Sequence, residues 1–538
     1  MGACLVFACG QGAAQGGGNF EQTDGGGGTP DSGTVGQPDS GSPDAGPPDA
    51  GPPDAGDGGS IGIVDPPPGD TGIPPGSTWT WPPARPGYVN PIVAENAKTG
   101  DPAWQKGFTN AFARQIEGYA DRVSAKAGDP VNLMVRSAGD STATWTLYRL
   151  GWYGGAGARQ IIPPSSVAVH EMPACTNEKA TGLVQCGWPT AFTITIPSDA
   201  VSGLYIVRIV RQDKIGVLIP VVVKDDRPSD LYFQSSVTTA QAYNNWGGEG
   251  LYSDSHDGLG FAVKVSFDRP YDGNFGSGQV LWYEALMARF LERYGYDVSY
   301  TTNLDVSREG ARGLLARGAF LSVGHDEYWS GRERIAVQAA RDAGLPIFFF
   351  GANAAYWKTR EEAPGVDGTA RIVTCYKKHP ELDPLAGTPD ATARYRDDPI
   401  NEPEEALTGA MYESWLLFGE PWTVQNSTDP LYQGTGLHDG DTIPQLVGNE
   451  YDRTFALDTP APVTVVSHSP MIDAEGKPGL QQATWYRTAK GSFVFDAGTE
   501  YWSRFVDGPQ EDQRVQRMTA NALQMGRGLP VPQALLHV

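Results

Sequence analysis

The chain reads as a β-sandwich followed by an α/β domain, both behind a disordered leader, and three observations predict this. Residues 1–84 are rich in glycine and proline, residues 85–227 carry short apolar runs punctuated by Gly, Pro and Asp, and residues 228–538 alternate short apolar runs with amphipathic helical stretches. At 538 residues the chain exceeds one ordinary core, since domains of about 100–200 residues are usual. The expected division is therefore a leader over 1–84, a sandwich over 85–227 and an α/β domain over 228–538.

In the leader, Gly and Pro supply 36 of 84 residues, ten residues are acidic, and none is Lys or Arg. Pro-Asp-Ala-Gly recurs at Pro43–Gly46, Pro48–Gly51 and Pro53–Gly56. Such a segment has no apolar side chains to offset the entropy of ordering, so it is expected to act as a solvated tether. Its first nine residues, Met1 to Cys9, resemble the end of a bacterial lipoprotein signal, although the apolar stretch is short and lacks a basic residue. Cys9 is thus a candidate for lipid attachment to a membrane, with chance likeness as the alternative, and the expected location is extracytoplasmic, at the cell surface or in the periplasm. Cys175 and Cys186 flank a polar loop of a length that a disulfide commonly closes, which fits an oxidising compartment. The Gly-x-Ser-x-Gly match at Gly58–Gly62 lies in this leader with no strand or helix around it and signifies nothing.

Composition excludes several function classes. Residues 85–538 carry 53 acidic against 40 basic side chains, so no nucleic-acid partner is expected, because phosphate contacts need clustered Lys and Arg. No apolar run approaches the roughly 18 residues of a membrane span. No Cys-x-x-Cys and no His-x-x-x-His pair suggests zinc. Assembly into an oligomer stays open.

In the first folded region, Val131–Arg136, Ala143–Leu150, Ala191–Ile196, Leu204–Val210 and Ile215–Val223 alternate or run apolar, as sandwich strands do. The stretch Pro197–Arg208 looks like the late strand of an immunoglobulin-like or lectin-like sandwich. In the second region, strands are expected at Leu231–Ser235, Asp297–Tyr300, Ala319–Val323, Pro346–Phe350 and Ser492–Ala497, with helices at Val280–Tyr294, Arg308–Arg317 and Gly331–Gly344. That alternation argues a parallel sheet covered on both faces, and chemistry then collects at the carboxyl ends of its strands.

The candidate residues fall at those ends. Gly324-His325-Asp326-Glu327-Tyr328-Trp329-Ser330 follows one strand, and His325 and Glu327, two positions apart, project to the same side. The competing reading is a solvated helix cap. Asn353 follows a Phe-Phe-Phe-Gly strand and offers an uncharged donor for a carbonyl or oxyanion, unless it only caps a turn. Tyr243 lies in the donor-rich loop Tyr243-Asn-Asn-Trp-Gly-Gly248, which by composition equally suits a sugar. Glu450 is a carboxylate after a short apolar stretch. Cys375 lacks the glycines of a nucleophile elbow.

Six strings together resemble one family: Tyr148–Gly155, Ala242–Gly248, Val265–Tyr271, Gly295–Tyr300, Gly324–Ser330 and Gly351–Trp357. They are similar to the C-terminal region of the large (beta) subunit of N,N-dimethylformamidase, over roughly residues 115–505. The resemblance implies a sandwich followed by an α/β domain of the glutamine amidotransferase-like, flavodoxin-like type, without its cysteine. It also implies an amidohydrolase with a mononuclear ferric ion, Fe(3+), held by two tyrosines and a glutamate. Position by position, the glutamate matches Glu327 and one tyrosine Tyr243, while Tyr205 is the nearest match for the other. His325 and Asn353 match pocket residues, and Glu450 matches a catalytic carboxylate. The expected substrate is a small amide, and dimethylformamide itself is not expected. The family enzyme has a small partner subunit and acts in the cytoplasm, and this chain gives no sign of either. The alternative function is a non-catalytic, surface-displayed protein that binds carbohydrate or cell wall.

Overall fold

The computed structural model describes residues 73–74, 76–81, 87–253 and 260–536. Most of the glycine- and proline-rich leader, with Cys9 and Gly58–Gly62, lies outside them. Strand predominates over helix, 34% against 20%, in several separate sheets.

The sandwich region contributes β1 (Ile116–Ala120), β2 (Pro130–Ser137), β3 (Ser141–Leu150), β4 (Ala158–Val169), β5 (Phe192–Thr195), β6 (Gly203–Arg211) and β7 (Ile215–Lys224). One antiparallel sheet runs β7-β6-β3-β4 and the other β1-β2-β5. The five expected strands coincide with β2, β3, β5, β6 and β7. Alternation assigns their faces: Tyr205, Val207 and Ile209 of β6 join Leu133, Val135 and Leu147 in the core between the sheets. Leu204 and Ile206, one step out of phase, pack instead with Phe233, Phe290 and Tyr300 of the second region. Both faces of β6 are covered, which is why its sequence runs apolar rather than alternating. Cys175 and Cys186 form the expected disulfide.

The second region contributes β8 (Leu231–Ser235), α1 (Val237–Ala242), α2 (Glu284–Arg293), β9 (Val298–Thr302), α3 (Asn303–Leu315), β10 (Phe320–His325), α4 (Gly331–Ala343), β11 (Ile347–Ala352), β12 (Met411–Trp415), β13 (Glu450–Arg453), β14 (Phe493–Asp496) and α5 (Gln513–Arg527). The main sheet runs β9-β8-β10-β11-β14, all parallel, and is extended by antiparallel Thr484–Arg487 and Thr464–Val465. Phe348 and Phe350 face α2 and α5, whereas Phe349 faces α3 and α4. Each buried phenylalanine contributes roughly 1.5–3 kcal/mol of transfer free energy, so the Phe348–Phe350 run holds both helical layers onto one strand.

Helix boundaries follow local chemistry. The α4 helix starts where Ser330 accepts the Glu333 N–H and ends at left-handed Gly344. The α3 helix begins earlier than expected because Thr302 accepts the Asp305 N–H, and Gly310 (φ 66°) interrupts it. The α2 helix begins at Glu284 rather than at residue 280, and the residues before it form a turn carrying Trp282 and Tyr283. Finally, the Trp79 N–H donates to Ala343 O, its indole to Arg317 O, and the Trp81 indole to Asp230. These three acceptors precede β11, β10 and β8, so both indoles sit at the amino ends of the parallel strands.

Candidate active site

Most of the site is supplied by the opposite, carboxyl ends of β8, β10, β11 and β14, and Glu450 comes from the start of β13. His325 is the last residue of β10 and Glu327 lies just beyond it, Tyr243 caps α1 after β8, Asn353 follows β11, and Glu500 follows β14. Gly324 (φ 71°) is required beside them, because a Cβ there would lie 2.4 Å from the Cβ of Tyr283. The N–H groups of Glu327 and Tyr328 donate to Thr239 Oγ1 of α1, at 2.9 and 3.1 Å, which ties the β10 loop to the Tyr243 helix. Asp326 turns the other way and accepts from Gln234, Asn303 and Ser322, so the alternation leaves only His325 and Glu327 facing the site.

Three side chains from two loops converge. The Tyr243 hydroxyl lies 2.8 Å from Glu327 Oε2, and the Tyr252 hydroxyl lies 2.9 Å from both Glu327 Oε1 and the Tyr243 hydroxyl. The Tyr243 and Tyr252 rings stack with centroids 4.3 Å apart. Desolvation of the hydroxyls, reinforced by Glu327, raises both phenols above their ordinary range, although Tyr252 as a whole is 43% exposed. Lys377 lies against this group, its ammonium 3.3 Å from the Tyr252 ring centroid and donating to Leu251 O. Burial lowers that ammonium to about 8.

Beside the phenols lies an acid–imidazole cluster. His325 Nε2 stands 3.2 Å from Glu327 Oε2, 3.2 Å from Glu450 Oε2 and 3.6 Å from Glu500 Oε1, yet none of these approaches is angled as a hydrogen bond. Asn353 Nδ2 donates to Glu450 (2.7 Å), while Asn449 Nδ2 (2.7 Å) and the Tyr283 hydroxyl (2.8 Å) donate to Glu500. Burial lowers the affinity of His325 for a proton, but Glu500 and Glu450 overcome this and raise it well above the usual range. Burial also drives Glu500 well above the carboxylate range, reinforced by Glu450, whereas His325 pulls Glu450 below it in spite of burial. The favoured state is an imidazolium beside one ionised and one protonated carboxyl.

Two subsets of these donors suit a cation. His325, Glu450 and Glu500 offer atoms within 4.8 Å of one another. Tyr243, Tyr252 and Glu327 offer three hard oxygens 2.8–3.1 Å apart. Ligands roughly 2.0–2.1 Å from a small hard cation at right angles are themselves about 3 Å apart, so this second set suits a small hard cation.

Tyr243, His325, Glu327, Asn353 and Glu450 are thus brought together. Tyr205 is not: its hydroxyl donates to Val201 O and its ring fills the sandwich core, because odd-numbered positions of β6 face the partner sheet. Tyr252 occupies the place that Tyr205 was expected to take. Sequence reasoning passed over Tyr252 and Glu500, although Tyr252 shares the glycine-rich loop of Tyr243 and Glu500 follows an expected strand. A cavity of about 250 Å³ opens onto the cluster, lined among others by Tyr243, Tyr283, His325 and Glu450 below and by Trp282 and Trp415 at the mouth.

Comparison with known proteins gives three results. The family described as N,N-dimethylformamidase beta subunit-like, C-terminal, matches residues 144–514. No curated protein matches the chain. Among solved structures, a cycloisomaltooligosaccharide glucanotransferase from Paenibacillus sp., complexed with cycloisomaltoheptaose, is similar at 14% identity and a TM-score of 0.14. That match covers 35% of this chain and 27% of the glucanotransferase, and no argument is drawn from it.

Proposed function

The chain belongs to the N,N-dimethylformamidase beta subunit-like family, C-terminal part, and from that premise we propose that it is a metal-dependent hydrolase of small amide carbon–nitrogen bonds. One observation carries the proposal: two phenols from one loop and a carboxylate from another meet within 2.8–3.1 Å, beside an imidazole and two further carboxyls. Tyr243, Tyr252 and Glu327 would hold a ferric ion, which when bound polarises an amide carbonyl and acidifies a water.

The remaining steps belong to the chain itself. Glu450, ionised and held by Asn353, takes the proton of the attacking water and delivers it to the departing amine. His325 supplies the positive charge that keeps Glu450 ionised, and it fixes Glu327 and Glu450 at 3.2 Å on either side. Asn353 places a neutral amide near the substrate carbonyl. Protonated Glu500, anchored by Tyr283 and Asn449, adds no further negative charge.

The surrounding architecture fits the same proposal: an immunoglobulin-like sandwich over 85–227 supporting an amidotransferase-like α/β domain over 228–538. The Cys175–Cys186 disulfide supports an extracytoplasmic setting, with Cys9 as the point of lipid attachment.

Elemental analysis and visible absorption of the purified full-length protein test the metal, and amine release from short N-alkyl amides tests the reaction. The expected result is one iron per chain, a phenolate-to-iron absorption band, and hydrolysis that disappears when the iron is chelated. Hydrolysis that persists without metal overturns the assignment.

A further inference from the structure

The cavity above the cluster is larger and more aromatic than a dimethylated formamide needs. We propose that its substrates are uncharged amides bearing a flat aromatic group, seated between Trp282 and Trp415. The proposal rests on the hydrolase reading and names the substrate class of that same site.

Size is the first argument. At about 250 Å³, by the measure in which a single water needs roughly 10–15 Å³, the cavity extends well beyond a five-heavy-atom amide. The second argument is the exposure of the indoles. Trp282 is 53% exposed and Trp415 39% exposed, whereas Trp329, Trp422 and Trp502 are fully buried. Half-exposed indoles lining a concave site provide rigid contact area at little entropic cost.

The third argument is charge. The lining includes no Lys or Arg to receive a substrate carboxylate. Its carboxylate, Glu450, already accepts from Asn353 at 2.7 Å and offers no cationic partner to an anionic substrate. The wall amides of Gln279 and Asn449 suit a neutral polar group.

The fourth argument is rigidity. Trp415 stands directly opposite Glu450 in the β12–β13 ladder, and the next residue, Leu416, donates its N–H to Asn449 O at 2.7 Å. One wall of the aromatic slot is therefore locked to the carboxylate that handles the proton. Trp282 is set by the turn that closes with its N–H on Gln279 O, at 2.9 Å. A ring held in this slot fixes the distance between the reacting amide and Glu450, whereas a small alkyl amide has nothing to hold it there.

The test uses the full-length protein with three probes: acetanilide, N,N-dimethylformamide, and hippurate as an aromatic amide carrying a carboxylate. Binding is read by calorimetry, with and without iron, and turnover by product release. Acetanilide is expected to bind at least tenfold tighter than either other probe. Trp282→Ala and Trp415→Ala are each expected to lower the acetanilide-to-dimethylformamide ratio of kcat/KM about tenfold, the factor that ~1.4 kcal/mol of lost contact produces, with the loss carried by KM. Trp415→Phe is expected to restore most of it.

Equal affinity for acetanilide and dimethylformamide, or tighter binding of hippurate, overturns the inference. So does an unchanged ratio in both alanine variants. Tight, tryptophan-dependent binding of acetanilide with no cleavage of any amide overturns the hydrolase reading instead and leaves the slot standing.

Discussion

The molecule treats buried ionised groups differently at the sandwich interface and at the candidate site. Where the sandwich meets α2, Arg149 and Glu292 are both fully buried, and the guanidinium grips the carboxylate through two bonds of 2.8 and 2.7 Å. Leu150 O, Val201 O, Ser202 O and the Tyr153 hydroxyl accept from Arg149, and the Asn96 amide and the Tyr300 hydroxyl donate to Glu292. At the carboxyl ends of β10, β11 and β14, Glu327, Glu450 and Glu500 share one imidazole, and among the described residues no Lys or Arg forms an ion pair with them. Charge buried for architecture arrives with its counter-charge and a full set of hydrogen bonds. Charge buried at the candidate site is left short of positive charge, a shortfall that a bound cation would offset.

Breaking the architectural pair has the largest expected effect. Arg149→Met leaves Glu292 buried and uncompensated, so stability to urea falls by about 3–5 kcal/mol while iron per folded chain stays constant. A variant that lost iron but kept its stability would erase the distinction.

Glu284 represents a third way to bury an acid, with a hydroxyl and an N–H from Ser235 and Ser236 in place of a cation. Burial raises it from 4.5 to about 7, so its protonated form favours the fold. That contribution is complete below pH 4.5 and is lost as the pH rises toward 7, a change of about 3 kcal/mol. Glu284→Gln is expected to flatten this part of the stability–pH curve, and an unchanged slope would remove Glu284 from the comparison.

Glu327→Gln is expected to weaken iron binding by at least the roughly 100-fold upper range seen for outer-shell partners, with circular dichroism unchanged. The smallest contrast sets two tyrosines side by side. Tyr252→Phe is expected to cut iron affinity about tenfold and to weaken the visible band, whereas Tyr205→Phe costs about 1 kcal/mol of stability through the lost bond to Val201 and leaves the band intact.

Much of the architecture was legible because burial writes it into the chain. The Phe348–Phe350 run announced a strand covered on both faces, and the spacing of His325 and Glu327 announced a shared side. Asn353 and Glu450 were legible as strand-end polar groups, but their 2.7 Å bond was not, since it depends on β13 returning beside β11 across almost a hundred residues. Tyr252 was hidden because only the fold of its loop, docked under Lys377 and against Tyr328, turns its hydroxyl inward. Tyr205 misled because strand periodicity, which places it in the sandwich core, was outweighed by a likeness in a stretch with little motif.

The docking of Trp79 and Trp81 gives the molecule a front and a back. They moor residues 76–81 where β8, β10 and β11 begin, and the reacting groups stand where those strands finish, roughly 20 Å away for strands of five or six residues. Trp79 and Trp81 therefore brace the sheet from the end opposite the candidate site, so a change in how they dock reaches His325 and Asn353 only along the length of β10 and β11.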